Sequence, residues 1–297
     1  DQVSNIWTAP DGDSSRAKQI SSGLGKHGAG SIITIAGLAK GDCGGGICWT
    51  PDGRIVYHSM ASGKADIWIM DAGGANQKQL TADAGFNFYP SVSPDGRYIV
   101  FNSDRSGSPS IWRMNIDGTN PIQLLAGNGA FPRCSTDSKW VICSNSINGV
   151  NNVVRVPIEG GEPEGLNDTK GTQGRPDYSP DGKQIACNYI ANGSADWYVR
   201  MAIIPSGGGE PVKSFDIFTL DIVREIHWTP DGRALTYIET RDGVSNIWGQ
   251  PVEGGPPKQL TDFKSDLIFS FDWSRDGRLA CSRGTQPSDA VLISDFK

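Results

Sequence analysis

An all-β propeller of four-stranded antiparallel blades is the fold this chain predicts. Three observations carry that expectation: a hairpin signature repeated six times at a near-constant period, two apolar columns in fixed register with it, and a turn-rich composition without a sustained helical period. The signature reads Trp49-Thr50-Pro51-Asp52-Gly53-Arg54, Val92-Ser93-Pro94-Asp95-Gly96-Arg97, Tyr178-Ser179-Pro180-Asp181-Gly182-Lys183 and Trp228-Thr229-Pro230-Asp231-Gly232-Arg233. Weaker copies stand at Cys134-Ser135-Thr136-Asp137-Ser138-Lys139 and Trp273-Ser274-Arg275-Asp276-Gly277-Arg278. The six aspartates are separated by 43, 42, 44, 50 and 45 residues, the length of one propeller blade.

The turn chemistry explains the signature. Proline presets φ at the second turn position, aspartate suits the third, and glycine takes the left-handed conformation that lets two strands pair. The aspartates are therefore read as turn formers in preference to a ring of metal carboxylates. The copies with Thr136 and Ser138, or with Arg275, in place of the usual residues are expected to be the least rigid hairpins.

Three positions before each aspartate stand Trp49, Val92, Cys134, Tyr178, Trp228 and Trp273. Five or six positions after it stand Tyr57, Phe101, Cys143, Cys187, Tyr237 and Cys281, and both columns suit the space between facing sheets. A second half-motif follows each hairpin, as in Ile67-Trp68-Ile69-Met70-Asp71 and Asn246-Ile247-Trp248-Gly249-Gln250, and then a strand such as Lys78-Gln79-Leu80-Thr81. Each unit thus supplies strands a, b, c and d in order.

The segment Pro90-Ser91-Val92-Ser93-Pro94-Asp95-Gly96-Arg97-Tyr98-Ile99-Val100-Phe101, with Ser103-Asp104-Arg105-Ser106-Gly107 and Ile111-Trp112 after it, closely resembles the WD-like (PD) repeat of TolB-type propellers. The resemblance covers essentially the whole chain and extends to the propeller segments of bacterial membrane-anchored Ser/Thr kinases. It implies protein recognition in an extracytoplasmic setting, periplasmic or secreted. Prolyl-peptidase-like enzymes carry the same blade, but the Gly-x-Ser-x-Gly elbow of their hydrolase domain is absent here.

Ring closure leaves two alternatives. The start, Asp1-Gln2-Val3-Ser4-Asn5-Ile6-Trp7, matches Asp242-Gly243-Val244-Ser245-Asn246-Ile247-Trp248, so the chain opens on a strand c followed by a strand d near Lys18-Gln19, and it ends on a strand c at 290–294. That is one strand more than six blades need. The favoured reading is six blades, with the first strand d completing the last sheet and one strand c left as an edge. The rival is seven blades with an incomplete first one.

One domain of 297 residues suits a closed all-β ring, and the chain is expected to be a single unit, as given or cut from something longer. With 27 Lys and Arg against 33 Asp and Glu, a net charge of −6 without runs, no basic stripe is present and nucleic acid is not an expected partner. No apolar run is long enough for a membrane span, and no signal peptide is visible.

Four of the six cysteines fall in core columns, while Cys43 and Cys48 flank a glycine run and are read as unpaired thiols, a local disulfide or, least of all, part of a metal site. Only three histidines occur, so a multi-histidine metal site is hard to assemble: His27 is placed in a solvated glycine-rich loop and His58 on a strand b. His227 belongs to a polar column four positions before each aspartate: Cys48, Ser91, Arg133, Asp177, His227 and Asp272. On innermost strands this column forms a girdle around the central channel. Adjacent blades are expected to pair Arg133 with Asp177 and His227 with Asp272, either as ion pairs that order the blades or as a ligand site on the axis.

The d-to-a loops place Phe86, Phe88, Tyr89, Phe131, Gln173, Arg175, Arg224, Glu225 and Phe269 at the channel mouth, where aromatics beside arginines suit protein recognition. The b-to-c loops open on the same face, and their Asp-Arg pairs can lock each loop to its neighbour. Asp11-Gly12-Asp13 and Asn115-Ile116-Asp117-Gly118 resemble fragments of calcium loops but lack the terminal glutamate, and no triad order, P-loop or dinucleotide fingerprint is found. No cofactor is expected. The leading expectation is a non-catalytic propeller that binds a protein or peptide; a channel-centred metal-assisted hydrolase or lyase and a purely structural module are the alternatives.

Overall fold

The computed structural model describes residues 2–21, 26–27, 46–82, 84–147, 150–166, 171–191, 200–216 and 225–285. They form six antiparallel sheets in a ring. Blade 1 runs Ile47–Trp49, Arg54–Ser59, Asp66–Asp71 and Lys78–Gln79 as strands a to d. Blade 2 runs Asn87–Val92, Tyr98–Ser103, Ser110–Asn115 and Ile122–Leu125. Blade 3 runs Gly129–Cys134, Trp140–Ile147, Val150–Pro157 and Glu164–Gly165. Blade 4 runs Gly171–Tyr178, Gln184–Ala191, Arg200–Pro205 and Lys213–Asp216. Blade 5 runs Ile226–Trp228, Ala234–Arg241, Val244–Pro251 and Lys258–Gln259. Among the described residues the only helix is two 3-10 turns, Pro10–Gly12 and Ser14–Arg16.

Blade 6 decides between the two closures, and it differs from the expected one. Its strands a and b are Leu267–Trp273 and Leu279–Thr285, but its strand c is Gln2–Ala9 and its strand d Lys18–Gln19. The first strand c is therefore no surplus edge: it pairs antiparallel with strand b from Val3 opposite Thr285 to Ala9 opposite Leu279. The pairing succeeds because this strand carries the Ile-Trp half-motif of strand c in blades 1, 2 and 5, so Trp7 stands opposite Cys281 as Trp248 stands opposite Tyr237. The 290–294 segment expected there lies outside the described residues. His27, expected in a loop, sits with Lys26 on a short strand beside Gln2 and Val3.

Apolar side chains pack between neighbouring blades. Ile6 joins Ile47, Trp49 and Tyr57 of blade 1, while Val100 and Ile111 of blade 2 meet Val141, Cys143 and Val154 of blade 3. Both apolar columns lie in these layers, with Tyr57, Phe101 and Cys143 almost wholly buried.

Each hairpin aspartate accepts a hydrogen bond from the Ser or Thr hydroxyl two residues earlier, at 2.6 Å for Asp95, Asp137, Asp181 and Asp231. That bond, helped by the Lys139 and Lys183 amides, holds the Asp137 and Asp181 carboxyls below the usual carboxylate range. The same hydroxyl accepts the N–H five residues on in blades 2 to 5, but four residues on in blade 1 (Arg54) and blade 6 (Arg278). Those two hairpins are one residue shorter, which is why Tyr57 and Cys281 follow their aspartates one position earlier than the other column members.

The Thr136-Asp137-Ser138 copy keeps the full geometry. Ser138 takes φ +59°, and its hydroxyl accepts the Asp95 N–H at 3.1 Å, tying blade 3 to blade 2. Glycine is favoured at this position by φ of +74° at Gly96 and +71° at Gly182, and a Cβ on Gly182 would also lie 2.3 Å from Thr136 Oγ1. Gly96→Val is expected to cost about 1–3 kcal/mol from backbone strain alone. Gly182→Val should cost more, because Thr136 must also move. Chemical denaturation of both variants checks the order; equal losses would show that the hairpin opens to relieve the contact.

Candidate functional site

Strand a of each blade lines the central channel, and its polar residue was expected to form a girdle. Four members do so by one repeated bond: the side chain accepts the N–H of the apolar-column residue in the next blade. Cys48 Sγ accepts from Val92 at 3.4 Å, Ser91 Oγ from Cys134 at 3.4 Å, Asp177 Oδ2 from Trp228 at 3.3 Å, and Asp272 Oδ2 from Trp49 at 2.8 Å. The last of these crosses the closure. Arg133 and His227, which do not join this ladder, meet each other instead.

The Arg133 guanidinium reaches from blade 3 to blade 5, its Nη2 3.2 Å from His227 Nε2 and 3.5 Å from Nδ1. Nearly equal distances to both nitrogens place Nη2 over the face of the ring at its Nδ1–Cε1–Nε2 side, a stacked contact and not an in-line hydrogen bond. His227 Nδ1 lies 3.4 Å from Asp177 Oδ2 and Nε2 3.8 Å from Glu225 Oε2. The expected neighbours are thus rearranged: Asp177 pairs with His227, and Arg133 spans the axis, because a long side chain on an inner strand is not confined to the adjacent blade. Burial and Arg133 both disfavour the imidazolium, but the two carboxylates outweigh them and raise the His227 pKa to about 9. The ring is charged at neutral pH. Burial pushes the Asp272 carboxyl up, with His227, Arg133 and the Trp49 amide opposing.

Above the girdle stands a second ring, two residues earlier on each strand a: Gly46, Tyr89, Phe131, Arg175, Glu225 and Ser270. Tyr89, Phe131 and Arg175 each precede a proline and adopt φ of +52°, +56° and +52° at a register shift in strand a. The bulge re-aims these side chains toward the axis. Tyr89 meets Phe131 edge-on at 4.6 Å between centroids, and the Arg175 guanidinium lies 4.0 Å over the Phe131 ring. Glu225 accepts the Ser270 hydroxyl and the Phe271 N–H, both at 3.0 Å. Gly46 leaves room for Tyr89, since a Cβ there would lie 2.6 Å from Tyr89 Cα. Sequence reading placed Tyr89, Phe131, Arg175 and Glu225 at the mouth without seeing that they form one ring; the aromatic-Pro and Arg-Pro pairs were the available signal.

The ring surrounds a cavity of about 370 Å³, counted out to open solvent and lined by Gly46, Tyr89, Phe131, Arg133, Arg175 and Glu225 with the intervening prolines and Ile226. Tyr89 and Phe131 are half-buried, while Arg175 and Glu225 are 7% exposed and belong to the wall. Phe88 stands aside with Phe86, stacked at 6.2 Å, and with His58, edge-on at 5.4 Å. Phe269 is packed into the core at 3% exposure, because the register shift between Ile268 and Ser270 turns it from the mouth. Gln173 lies on strand a of blade 4 opposite Tyr189; Arg224 lies outside the described residues. In the b-to-c loop of blade 2, Asp104 accepts the Phe86 N–H at 2.7 Å and Arg105 donates to Asn87 at 2.9 Å, so these charges do lock the loop.

Cys48 is a buried free thiol in the girdle, not an exposed loop cysteine; its expected companion Cys43 lies outside the described residues. Burial pushes the thiols of Cys143, Cys187 and Cys281 up to about 12 and that of Cys48 well above its ordinary value. Under native conditions a thiol reagent should leave these four unreacted while labelling them fully in denaturant. Rapid native labelling of Cys48 would contradict its place in the girdle. Among the described residues no three His, Cys, Asp or Glu side chains are grouped to hold a metal ion. Likewise, no described helix is long and apolar enough to cross a membrane, which says nothing of β-barrel spans.

Residues 37–170 match the family model for the TolB β-propeller domain. A protein of Agrobacterium fabrum, Atu1656, described as uncharacterized, is 36% identical over 198 residues, 64% of this chain and 67% of that protein. Among solved structures, the putative TolB of Agrobacterium tumefaciens superposes with a TM-score of 0.71 at 17% identity, covering 97% of this chain and all of that one. TolB of Acinetobacter baumannii gives 0.64 at 19% identity over 95% of this chain, which spans 64% of that longer chain. With the repeat, the six closed blades and these matches in agreement, the chain belongs to the TolB-like β-propeller family.

Proposed function

We propose that this chain is a non-catalytic propeller that binds a protein or peptide at its channel mouth, in an extracytoplasmic compartment. The observation that carries the reading is the collar: Tyr89 and Phe131, half-buried and edge-on, stand beside Arg175 and Arg133 around a cavity open to solvent. Aromatic and arginine side chains around a concave, partly desolvated patch are the composition of recognition hot spots. Membership of a TolB-like family supports that compartment. A catalytic reading gains no comparable support, since His227, held as an imidazolium between Asp177 and Glu225, is not available as a general base near neutral pH.

The test is a selection of displayed random peptides on the intact chain, with a collar variant as the counter-target. Tyr89→Asn and Phe131→Asn together remove the collar while tolerating the left-handed backbone that both positions need. Arg175 and Asp177 are left in place, because the former is buried against Phe131 and the latter holds blade 5. Peptides enriched on the chain and not on the variant support the reading. Enrichment that is indifferent to the collar would move the binding face elsewhere.

A further inference from the structure

Arg133 lines the floor of the mouth cavity and lies across the channel axis. Among the described residues the guanidinium's only polar contact within hydrogen-bonding distance is with the His227 ring, through Nη2, and an imidazolium offers it no acceptor. A guanidinium offers five N–H donors in a planar fork, so most of this fork has no acceptor among the described residues, and Arg133 lines the cavity. Asp177, Asp272 and Glu225 keep it charged against the cost of burial, but none lies within ion-pair distance of it. Their oxygens are turned to other work: Glu225 to Ser270 and Phe271, Asp177 to Trp228 and His227, Asp272 to Trp49.

Resting on the peptide-binding reading above, we propose that the Arg133 guanidinium is the receptor for a carboxylate of the bound peptide, inserted through the Tyr89–Phe131 collar. Net charge does not oppose this insertion. Arg133, Arg175 and the imidazolium of His227 balance Asp177, Glu225 and Asp272, so the choice between an entering anion and cation falls to hydrogen bonding. On the cavity wall, the donors of Arg133 are unfilled while both oxygens of Glu225 are occupied. An entering carboxylate therefore completes the floor, whereas an entering ammonium would lie beside the Arg133 guanidinium and share Glu225 oxygens that blade 6 and His227 already use. A planar carboxylate also matches the planar fork in two parallel hydrogen bonds. The half-buried rings above favour an apolar residue beside the acid group.

The carboxylate can be the peptide's C-terminus or an Asp or Glu side chain, and the same displayed selection distinguishes them. Enriched peptides are synthesised with a free C-terminus, as the C-terminal amide, and with acidic residues replaced by Asn or Gln, and their binding is measured by fluorescence anisotropy. Loss of at least about tenfold on removal of one carboxylate, in whichever form, is expected on the unmodified chain. With Arg133→Gln that difference should vanish while collar-dependent binding remains. Arg133→Lys, which keeps the charge on the axis and so guards against a folding defect, should lose most of the difference too, because an ammonium cannot offer the fork. Thermal melting of each variant confirms that it is folded. If collar-dependent peptides bind equally well with and without carboxylates, or if Arg133→Lys discriminates as the unmodified chain does, the carboxylate assignment falls and peptide binding stands. If no peptide depends on the collar, both fall together.

Discussion

Removal of residues 2–20 is expected to abolish cooperative unfolding, a loss on the order of the whole ~5–15 kcal/mol that a domain of this kind holds. These residues supply strands c and d of blade 6, and their absence would leave strand b, Leu279–Thr285, as an open edge. The damage would reach both neighbours. Ile6 packs with Trp49 and Tyr57 of blade 1, and Ala9 lies in the layer that holds Ile247 of blade 5 with Phe271 and Cys281. Gly12 sits against the Trp273 ring so closely that a Cβ would lie 2.7 Å from it. Thermal melting followed by near-ultraviolet circular dichroism is the measurement. A synthetic peptide of residues 2–20, added back, should restore part of the transition. A truncated chain that melts as sharply and as high as the full one would show that the ring closes by another pairing.

The second large effect concerns the buried charges on the axis. Asp177→Asn is expected to cost roughly 3 kcal/mol, because it leaves the His227 imidazolium and Arg133 with one carboxylate fewer in a poorly solvated site. It also weakens the acceptor for the Trp228 N–H, the bond by which blade 4 holds blade 5. A pH signature separates this cause from general damage. His227 is raised from 6.5 to about 9 in the folded protein, so its contribution is complete below pH 6.5 and is lost as pH rises through about 9. The unmodified chain should therefore lose stability across that window, by up to about 3 kcal/mol from this group. Asp177→Asn, with a lower folded pKa for His227, should lose less over the same range. Urea denaturation below pH 6.5 and above pH 9 reads both quantities, and parallel pH profiles for the two proteins would refute the His227–Asp177 coupling.

Much of this molecule is legible in its sequence because the determinants are local. The Ser/Thr-x-Asp hairpin bonds span two residues, and the one-position wobble in the Tyr57 and Cys281 column already marked the two shortened turns. The girdle column was visible by the same periodicity. Its partners were not, since counting along the chain orders the blades but does not say how far a guanidinium reaches across a channel. Arg133 passes over its neighbour Asp177 to His227, and Asp177 pairs with His227 in the place expected of Asp272. The mouth was half legible. Tyr89-Pro90, Phe131-Pro132 and Arg175-Pro176 read as loop entries, whereas they are bulges inside strands whose left-handed residues turn inward. Phe269 has no such proline and points into the core. Closure could be narrowed by counting to two schemes, but only pairing shows that Gln2–Ala9, and not a later segment, completes the last sheet.

The shared composition of blade 6 also orders events during synthesis. Strands c and d of that blade leave the ribosome before the other five blades, and their partners at Leu267–Thr285 emerge after those blades have been made. Hairpins stapled by their own Ser or Thr hydroxyls can form as each one appears. The opening strands cannot, and Ile6 and Trp7 must wait without their docking surface while some 250 residues are translated, a delay of roughly ten seconds to a minute at ordinary elongation rates. A nascent chain in this state presents an unpaired strand and an uncovered face of blade 1, so the interval before closure is when the protein is most exposed to misassociation and most in need of a chaperone.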